Sequence, residues 1–181
     1  MHPRHYSSEG FVLSRVKYGE ADRIITIFSR KYGKISMIAK GVRKLASRKR
    51  GALENFSSIK FSAASGKNLD ILTEVEIINS YENIRNNLKK VALAYYFSEV
   101  IVKITREDEV NETLFDLLAK YLEILGKDVQ LKKLRKAFVY ECLVTLGYWP
   151  KGKVLADADF VLEEVIERQL SSVRVGKKLL L

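Results

Sequence analysis

The chain has 181 residues, a formal net charge of +10 and 47% hydrophobic residues, enough for one large domain or two small ones with buried cores and too apolar for global disorder. Its single cysteine, Cys142, excludes an internal disulfide or a multi-cysteine zinc site and fits a reducing, cytoplasmic setting. The opening MHPRHYSSEG lacks the apolar core of a secretory signal, and no run of about 18 apolar residues offers a membrane span.

The first eighty residues read in period two. GFVLSRVK, DRIITIFS, KISMIAK, FSSIKFS and ILTEVEI are each predicted as a strand, with turn signals at Tyr18-Gly19-Glu20, Lys31-Tyr32-Gly33 and Ser65-Gly66-Lys67. In KISMIAK the alternation puts Ile35, Met37 and Ala39 inside and Lys34, Ser36 and Lys40 outside. In ILTEVEI it sets Ile71, Thr73, Val75 and Ile77 against Leu72, Glu74 and Glu76. Five short strands need closure to protect their edges, so a small barrel is expected over residues 1–80. The longest connection, residues 41–55, contains most of KGVRKLASRKRG, with six basic residues and no acid from Lys40 to Gly51.

After Tyr81 the period changes to that of a helix. Leu88, Val91, Leu93, Tyr95, Phe97, Val100, Ile101 and Ile104 predict a helix apolar on most sides, hence central to a bundle. Leu114, Leu117, Leu118, Tyr121, Leu122 and Leu125 predict a second, ended by Gly126. Leu131, Leu134, Phe138, Cys142 and Leu146 predict a third, ended by Gly147 and Pro150. A fourth begins near Asp159 and carries Leu162, Val165, Ile166 and Leu170. Short connections imply antiparallel neighbours, so residues 81–181 are expected to form an antiparallel helical bundle and the whole chain an α+β protein.

The charge is concentrated in the first half. Residues 1–80 hold 15 Lys and Arg against 7 Asp and Glu, and residues 81–181 hold 17 against 15. From Arg23 through Leu53 there are ten basic residues and no carboxylate. Such a tract cannot neutralise itself and suits condensed phosphates, whose binding releases counterions. Tyr18, Tyr32 and Phe56 are candidates for stacking on bases, and Phe61 reads as core. An anionic membrane surface fits less well, because no amphipathic helix with a basic polar face accompanies the loop.

YGEADRIITIFS, the Gly33 turn, AKGVRK and SRKRGALENFS follow one another in an order and at a spacing that resemble the N-terminal domain of the RecO family of bacterial recombination mediators. KAFVYECLVTLGYWP is similar, more loosely, to the family's helix ending in a Leu-Gly-Tyr turn. The resemblance implies an oligonucleotide-binding barrel followed by a helical bundle. It further implies binding of single- and double-stranded DNA, strand annealing, and help in loading the RecA recombinase at gaps. The implied partners are RecR and the acidic, apolar-ended tail of the single-strand-binding protein. Carried over by position, the DNA-contacting candidates are Arg15, Lys17, Arg23, Lys34, Lys40, Arg43, Lys44, Arg48, Lys49 and Arg50. Many relatives follow the Leu-Gly-Tyr turn with a four-cysteine zinc module, whereas YWPKGKVLADADF has no cysteine; a shorter chain without that module, metal or other cofactor is expected.

No catalytic constellation can be assembled from the sequence. His2 and His5 lie at the N-terminus, Cys142 falls on the apolar line of its helix, and Asp157 and Asp159 read as helix-capping acids. AKGVRK lacks the spacing and the Lys-Ser or Lys-Thr pair of a phosphate-binding loop. In the helical half, Lys132, Lys133, Arg135 and Lys136 flank an apolar line and could form a basic rim for an acidic peptide. Trp149 is expected to cap the bundle core or to meet a partner. Two other readings stay open at this point: an adaptor whose basic barrel docks an acidic protein, and an RNA-binding barrel.

Overall fold

The computed structural model describes residues 3–166; His2 and Leu170, named above, lie outside them. Five strands, β1 (His5–Tyr18), β2 (Asp22–Ser29), β3 (Gly33–Ala39), β4 (Ser58–Ala64) and β5 (Asp70–Asn79), close a barrel in the order β1-β2-β3-β5-β4. This is a five-stranded oligonucleotide-binding barrel followed by helices. β1 serves two neighbours: His5–Phe11 pairs with β4, and Gly10–Tyr18 pairs with β2. At Gly10 a Cβ would collide with Ile27 and press on the Phe28 carbonyl, and the strand bulges between Val12 and Ser14. Closure rests on a short parallel seam, Met37 and Ile38 of β3 against Asp70 and Ile71 of β5.

The barrel interior is filled by Val12, Ile25, Ile27, Ile35, Met37, Ile59, Phe61 and Leu72. The alternation expected for β3 is found, with Ile35, Met37 and Ala39 buried. That expected for β5 is not. Leu72 points inward, Ile77 is exposed, and Val75 is the next residue packed on the core. The reason is a register shift: Ser62 opposes Glu74 while Ala63 opposes Leu72, so Thr73 is an extra residue and the pleat changes phase. A second shift, between Ser58 and Ile59, leaves Ile78 outside the ladder.

The segment Thr105–Asn111 clusters with the barrel as one compact unit, Met1–Ser80 with Thr105–Asn111. It lies along the start of β3, where the Asp108 N–H donates to the Lys34 carbonyl at 2.9 Å. Gly33 sits at φ 66°, and any Cβ there would strike the Glu109 backbone, so the turn before β3 needs glycine for both conformation and space.

The second unit comprises Tyr81–Ile104 and Glu112–Leu181. Its helices are α1 (Glu82–Arg85), α2 (Leu88–Ile104), α3 (Glu112–Gly126), α4 (Leu131–Thr145) and α5 (Ala158–Ile166). α2 contributes Leu93, Tyr96, Phe97, Val100 and Ile101 to the core. Phe97 lies 4.1 Å, centroid to centroid, from Phe138, and Tyr121 packs edge-on to Phe138 at 5.2 Å. The last carbonyl of α3 accepts from side chains, Asn83 donating to Gly126 at 3.2 Å and Lys90 Nζ at 3.3 Å, and Lys90 Nζ also donates to the Lys127 carbonyl just beyond the helix at 2.6 Å. At the start of α5, Asp157 Oδ1 accepts from the Asp159 and Phe160 N–H groups at 3.1 and 3.0 Å, as a capping acid should. Cys142 is fully buried, and burial first, then Glu141, raises its thiol pKa well above the ordinary value; it is a packing residue.

Candidate nucleic-acid interface

The connection from β3 to β4 is folded, because Val42, Ala52, Leu53 and Phe56 turn into the barrel while Lys44, Arg48 and Arg50 turn out. Val42 and Leu53 belong to the barrel core, and Ala52 and Phe56 are buried beside them. The turns between are closed by backbone bonds, Lys44 N–H to Gly41 at 3.1 Å and Ser47 N–H to Lys44 at 3.0 Å. The loop is tied to its neighbours as well. The Gly41 N–H donates to Asp22 Oδ1 at 2.7 Å, the Arg43 N–H to the Ala21 carbonyl at 2.9 Å, and Arg43 Nη1 to the Gly19 carbonyl at 3.1 Å. Lys49 Nζ reaches the Leu72 carbonyl on β5 at 3.2 Å.

This anchoring brings distant cations together. Arg15 and Lys17 lie near the end of β1 and oppose Ile25 and Arg23 on β2. Lys17 and Arg23 are therefore like charges directly across a ladder, an arrangement that costs stability unless an anion shares it. Arg23 is half-buried, and its guanidinium pKa is lowered by burial first and then by the neighbouring charges of Arg15, Arg43 and Arg50, with Glu54 opposing. Four arginines separated by up to 35 positions in sequence thus share one local field at one end of the barrel. Lys44, Arg48 and Arg50 are exposed on the loop, Lys40 is exposed just after β3, and Lys17 is exposed on β1.

Glu54 enters this cluster and meets Arg15 at 2.5 Å. Sequence reasoning misses it because the acid-free tract stops one residue earlier. A signal exists all the same, since the first carboxylate after a long cationic run is well placed to fold back on it.

Two expectations for this face are corrected. Lys34 does not stand on the outer polar face. It is 8% exposed, its ammonium donates to the Thr105 carbonyl at 2.6 Å and lies 3.8 Å from Glu107. The docked Thr105–Asn111 segment covers the place where alternation predicts solvent. Phe56 is not a stacking platform either. It is buried, with φ 56°, and its N–H donates to the Val12 carbonyl at 2.7 Å. Tyr32 is half-buried with its ring 4.6 Å from that of Tyr6, whereas Tyr18 is 50% exposed at the end of β1.

On α4 the structure separates the four basic residues. Lys132, Lys133 and Lys136 are exposed. Arg135 is turned inward: it pairs with Asp159 and stacks over Tyr96, 4.4 Å from the ring centroid, so it is not part of an open rim. A helical repeat carries position 135 onto the side of Phe138, Val139 and Cys142, which are buried. Lys136 instead lines a groove of about 300 Å³ with Tyr140, Lys153, Val154 and Leu155. The Gly152 N–H donates to the Tyr140 hydroxyl at 2.7 Å and Trp149 Nε1 to the Lys153 carbonyl at 3.1 Å, which folds the 147–155 turn beside α4.

Among the described residues there is no group of three or more His, Cys, Asp or Glu arranged to hold a metal, and no helix long and apolar enough to cross a membrane.

Comparison with known proteins agrees with this architecture. The family model described as Recombination protein O N terminal matches residues 1–81, and that described as Recombination protein O C terminal matches residues 85–156. The chain is 36% identical over 146 residues to a protein of Pelotomaculum thermopropionicum named DNA repair protein RecO, covering 80% of this chain and 56% of that one. Proteins of the same name from Roseiflexus sp. and Dehalococcoides mccartyi are 32% and 34% identical, over 93% and 91% of this chain and 59% and 65% of theirs. The chain thus spans roughly three-fifths of the length of these relatives. With a barrel and a helical unit matched in turn to the two halves of one family, the chain belongs to the RecO family.

Proposed function

We propose that this chain is a non-enzymatic, DNA-binding mediator of DNA repair that holds single strands on the arginine-rich end of its barrel and promotes their annealing. The observation that carries the reading is the convergence at one end of the barrel of Arg15 and Arg23, on paired strands, with Arg43, which is bonded to Gly19 and Ala21 between those strands, bordered by the exposed Lys17, Lys40, Lys44, Arg48 and Arg50. Cations fixed on a folded scaffold lose little freedom when phosphates arrive, and the repulsion among them is relieved by a polyanion. Two strands neutralised on such a surface approach each other without mutual repulsion, and base pairing supplies the specificity. The names of the relatives, each a DNA repair protein, support the same setting.

In this reading the barrel takes single- and double-stranded DNA. RecR and the acidic tail of the single-strand-binding protein act as partners, and RecA is loaded downstream at gaps. The groove beside Lys136 and Lys153, with Tyr140, Val154 and Leu155 as its apolar lining, offers what an acidic peptide with an apolar end requires.

The test is a salt titration of single-strand binding, with and without the acidic tail peptide, on the native chain and on a variant carrying Lys44→Glu, Arg48→Glu and Arg50→Glu. These three side chains are exposed, so the fold is retained. Removing three phosphate-binding cations reduces the slope of log affinity against log salt by about 2, from about 0.7 per neutralised phosphate on single strands, and annealing is lost. Unchanged annealing by the variant would assign the activity to another surface.

A further inference from the structure

The loop carries an apolar residue where its charge is greatest. Leu45 is 93% exposed, more than any other large hydrophobic side chain among the described residues. It sits between Lys44 and Arg48, with Arg43, Lys49 and Arg50 close in sequence. Lone surface leucines are common and by themselves signify nothing. This one lies inside the middle of three successive closed turns, Lys44 N–H to Gly41, Ser47 N–H to Lys44 and Arg50 N–H to Ser47. The buried Val42 on one side and Ala52 and Leu53 on the other clamp those turns to the barrel. The side chain is therefore presented on an ordered support and meets whatever the surrounding cations attract.

We propose that Leu45 is a base-contacting wedge, which inserts against the faces of unpaired bases while the flanking Lys44, Arg48 and Arg50 hold the phosphates. The inference rests on the strand-binding reading above and names how a base, as distinct from the backbone, is engaged there. The chemistry is complementary: cations fix the sugar-phosphate chain at the loop, and a branched aliphatic group among them has the base face as its apolar counterpart. Apolar side chains that enter base stacks in this way unstack neighbouring bases without reading their identity. Unstacked bases are in turn available for pairing with a second strand, which connects the wedge to annealing.

The experiment uses the full chain and a single strand containing 2-aminopurine, whose fluorescence rises when it is unstacked. The native chain raises the fluorescence on binding. Leu45→Ala abolishes the rise and binds about fivefold to tenfold more weakly, the lower end of the effect of losing a base-stacking side chain, with an unchanged salt slope and melting temperature. Leu45→Phe, which keeps a large apolar side chain at the position, retains the rise. If Leu45→Ala keeps both fluorescence and affinity, the wedge is refuted while strand binding stands. If the native chain binds no strand at any salt tested, strand binding itself is refuted and the wedge with it. Preferential, Leu45-dependent binding to anionic phosphatidylserine vesicles over the strand would also overturn the proposal, in favour of a membrane surface.

Discussion

Arg15 on β1 and Glu54 at the end of the cationic loop lie 2.5 Å apart, so one member of the arginine cluster is already paired with a carboxylate, which a phosphate bound as proposed would have to displace. Both side chains are partly exposed, and the pair contributes at most about 1 kcal/mol to folding. On the strand-binding proposal its larger effect is on affinity. Glu54→Gln is expected to tighten single-strand affinity about threefold to fivefold and to steepen the salt slope by about 0.7, the increment for one further phosphate neutralised. Fluorescence anisotropy at four salt concentrations measures both. An unchanged slope would mean that Arg15 does not face the ligand.

Lys34 behaves as part of the scaffold. With its ammonium bonded to the Thr105 carbonyl and its carbonyl accepting from Asp108, it couples β3 to the Thr105–Asn111 segment. Lys34→Met is expected to cost about 1–3 kcal/mol in stability, the loss of a charge-assisted hydrogen bond at a buried site. The salt slope of strand binding should not move. Urea denaturation alongside the binding titration separates the two; a shallower slope at full stability would return Lys34 to the interface.

The basic residues of α4 should divide in the same way. Arg135 and Asp159 are each only 14% exposed in their side chains, and Arg135 also covers Tyr96. Asp159→Asn leaves a largely buried guanidinium without its counter-charge and should cost about 3 kcal/mol in urea denaturation. Lys133→Glu and Lys136→Glu should each change stability by less than about 0.5 kcal/mol. If acidic-peptide binding is lost on Lys136→Glu and retained in folded Lys133→Glu, the groove with Tyr140 is the docking surface.

The helical unit should fail in alkali in one cooperative step. Burial raises the phenol pKa of Tyr81, Tyr96 and Tyr121 and the thiol pKa of Cys142 above their ordinary values. For groups raised in the folded state, the stability they contribute is fully present below the unfolded values and declines as pH climbs toward the folded ones. Unfolded values of about 8.5 for cysteine and about 10 for tyrosine set the start of that window. Helical circular dichroism is expected to hold to about pH 9 and then fall together with phenolate formation at Tyr81, Tyr96 and Tyr121, resolved from the exposed tyrosines by NMR of the labelled rings. Phenolate formation at these three rings with the helix signal intact would show that they are more accessible than their packing implies.

Some elements are easy to read in the sequence, and others are hidden for identifiable reasons. β3 alternates in burial from Ile35 to Ala39, so period alone assigns Ile35, Met37 and Ala39 to the interior. β5 shows a similar alternation but has an extra residue at Thr73, and a bulge depends on the facing strand, which no local pattern displays. The cations of the loop are legible as a charged tract. Their meeting with Arg15 and Arg23 is not, because it depends on Val42 and Leu53 entering the core. Lys34 and Arg135 share one cause of misplacement. Each is covered by a segment far along the chain, Thr105–Asn111 and α5, and long basic side chains follow such partners inward.

Val42 and Leu53 have a consequence for how this surface can change over time. They stopper the barrel as well as bracket the cations, so the loop cannot be excised without uncorking the interior. A descendant that needed a weaker grip on its ligand would have to exchange arginines one at a time and keep the length. Divergence here is therefore expected to be written in charge and not in insertions or deletions.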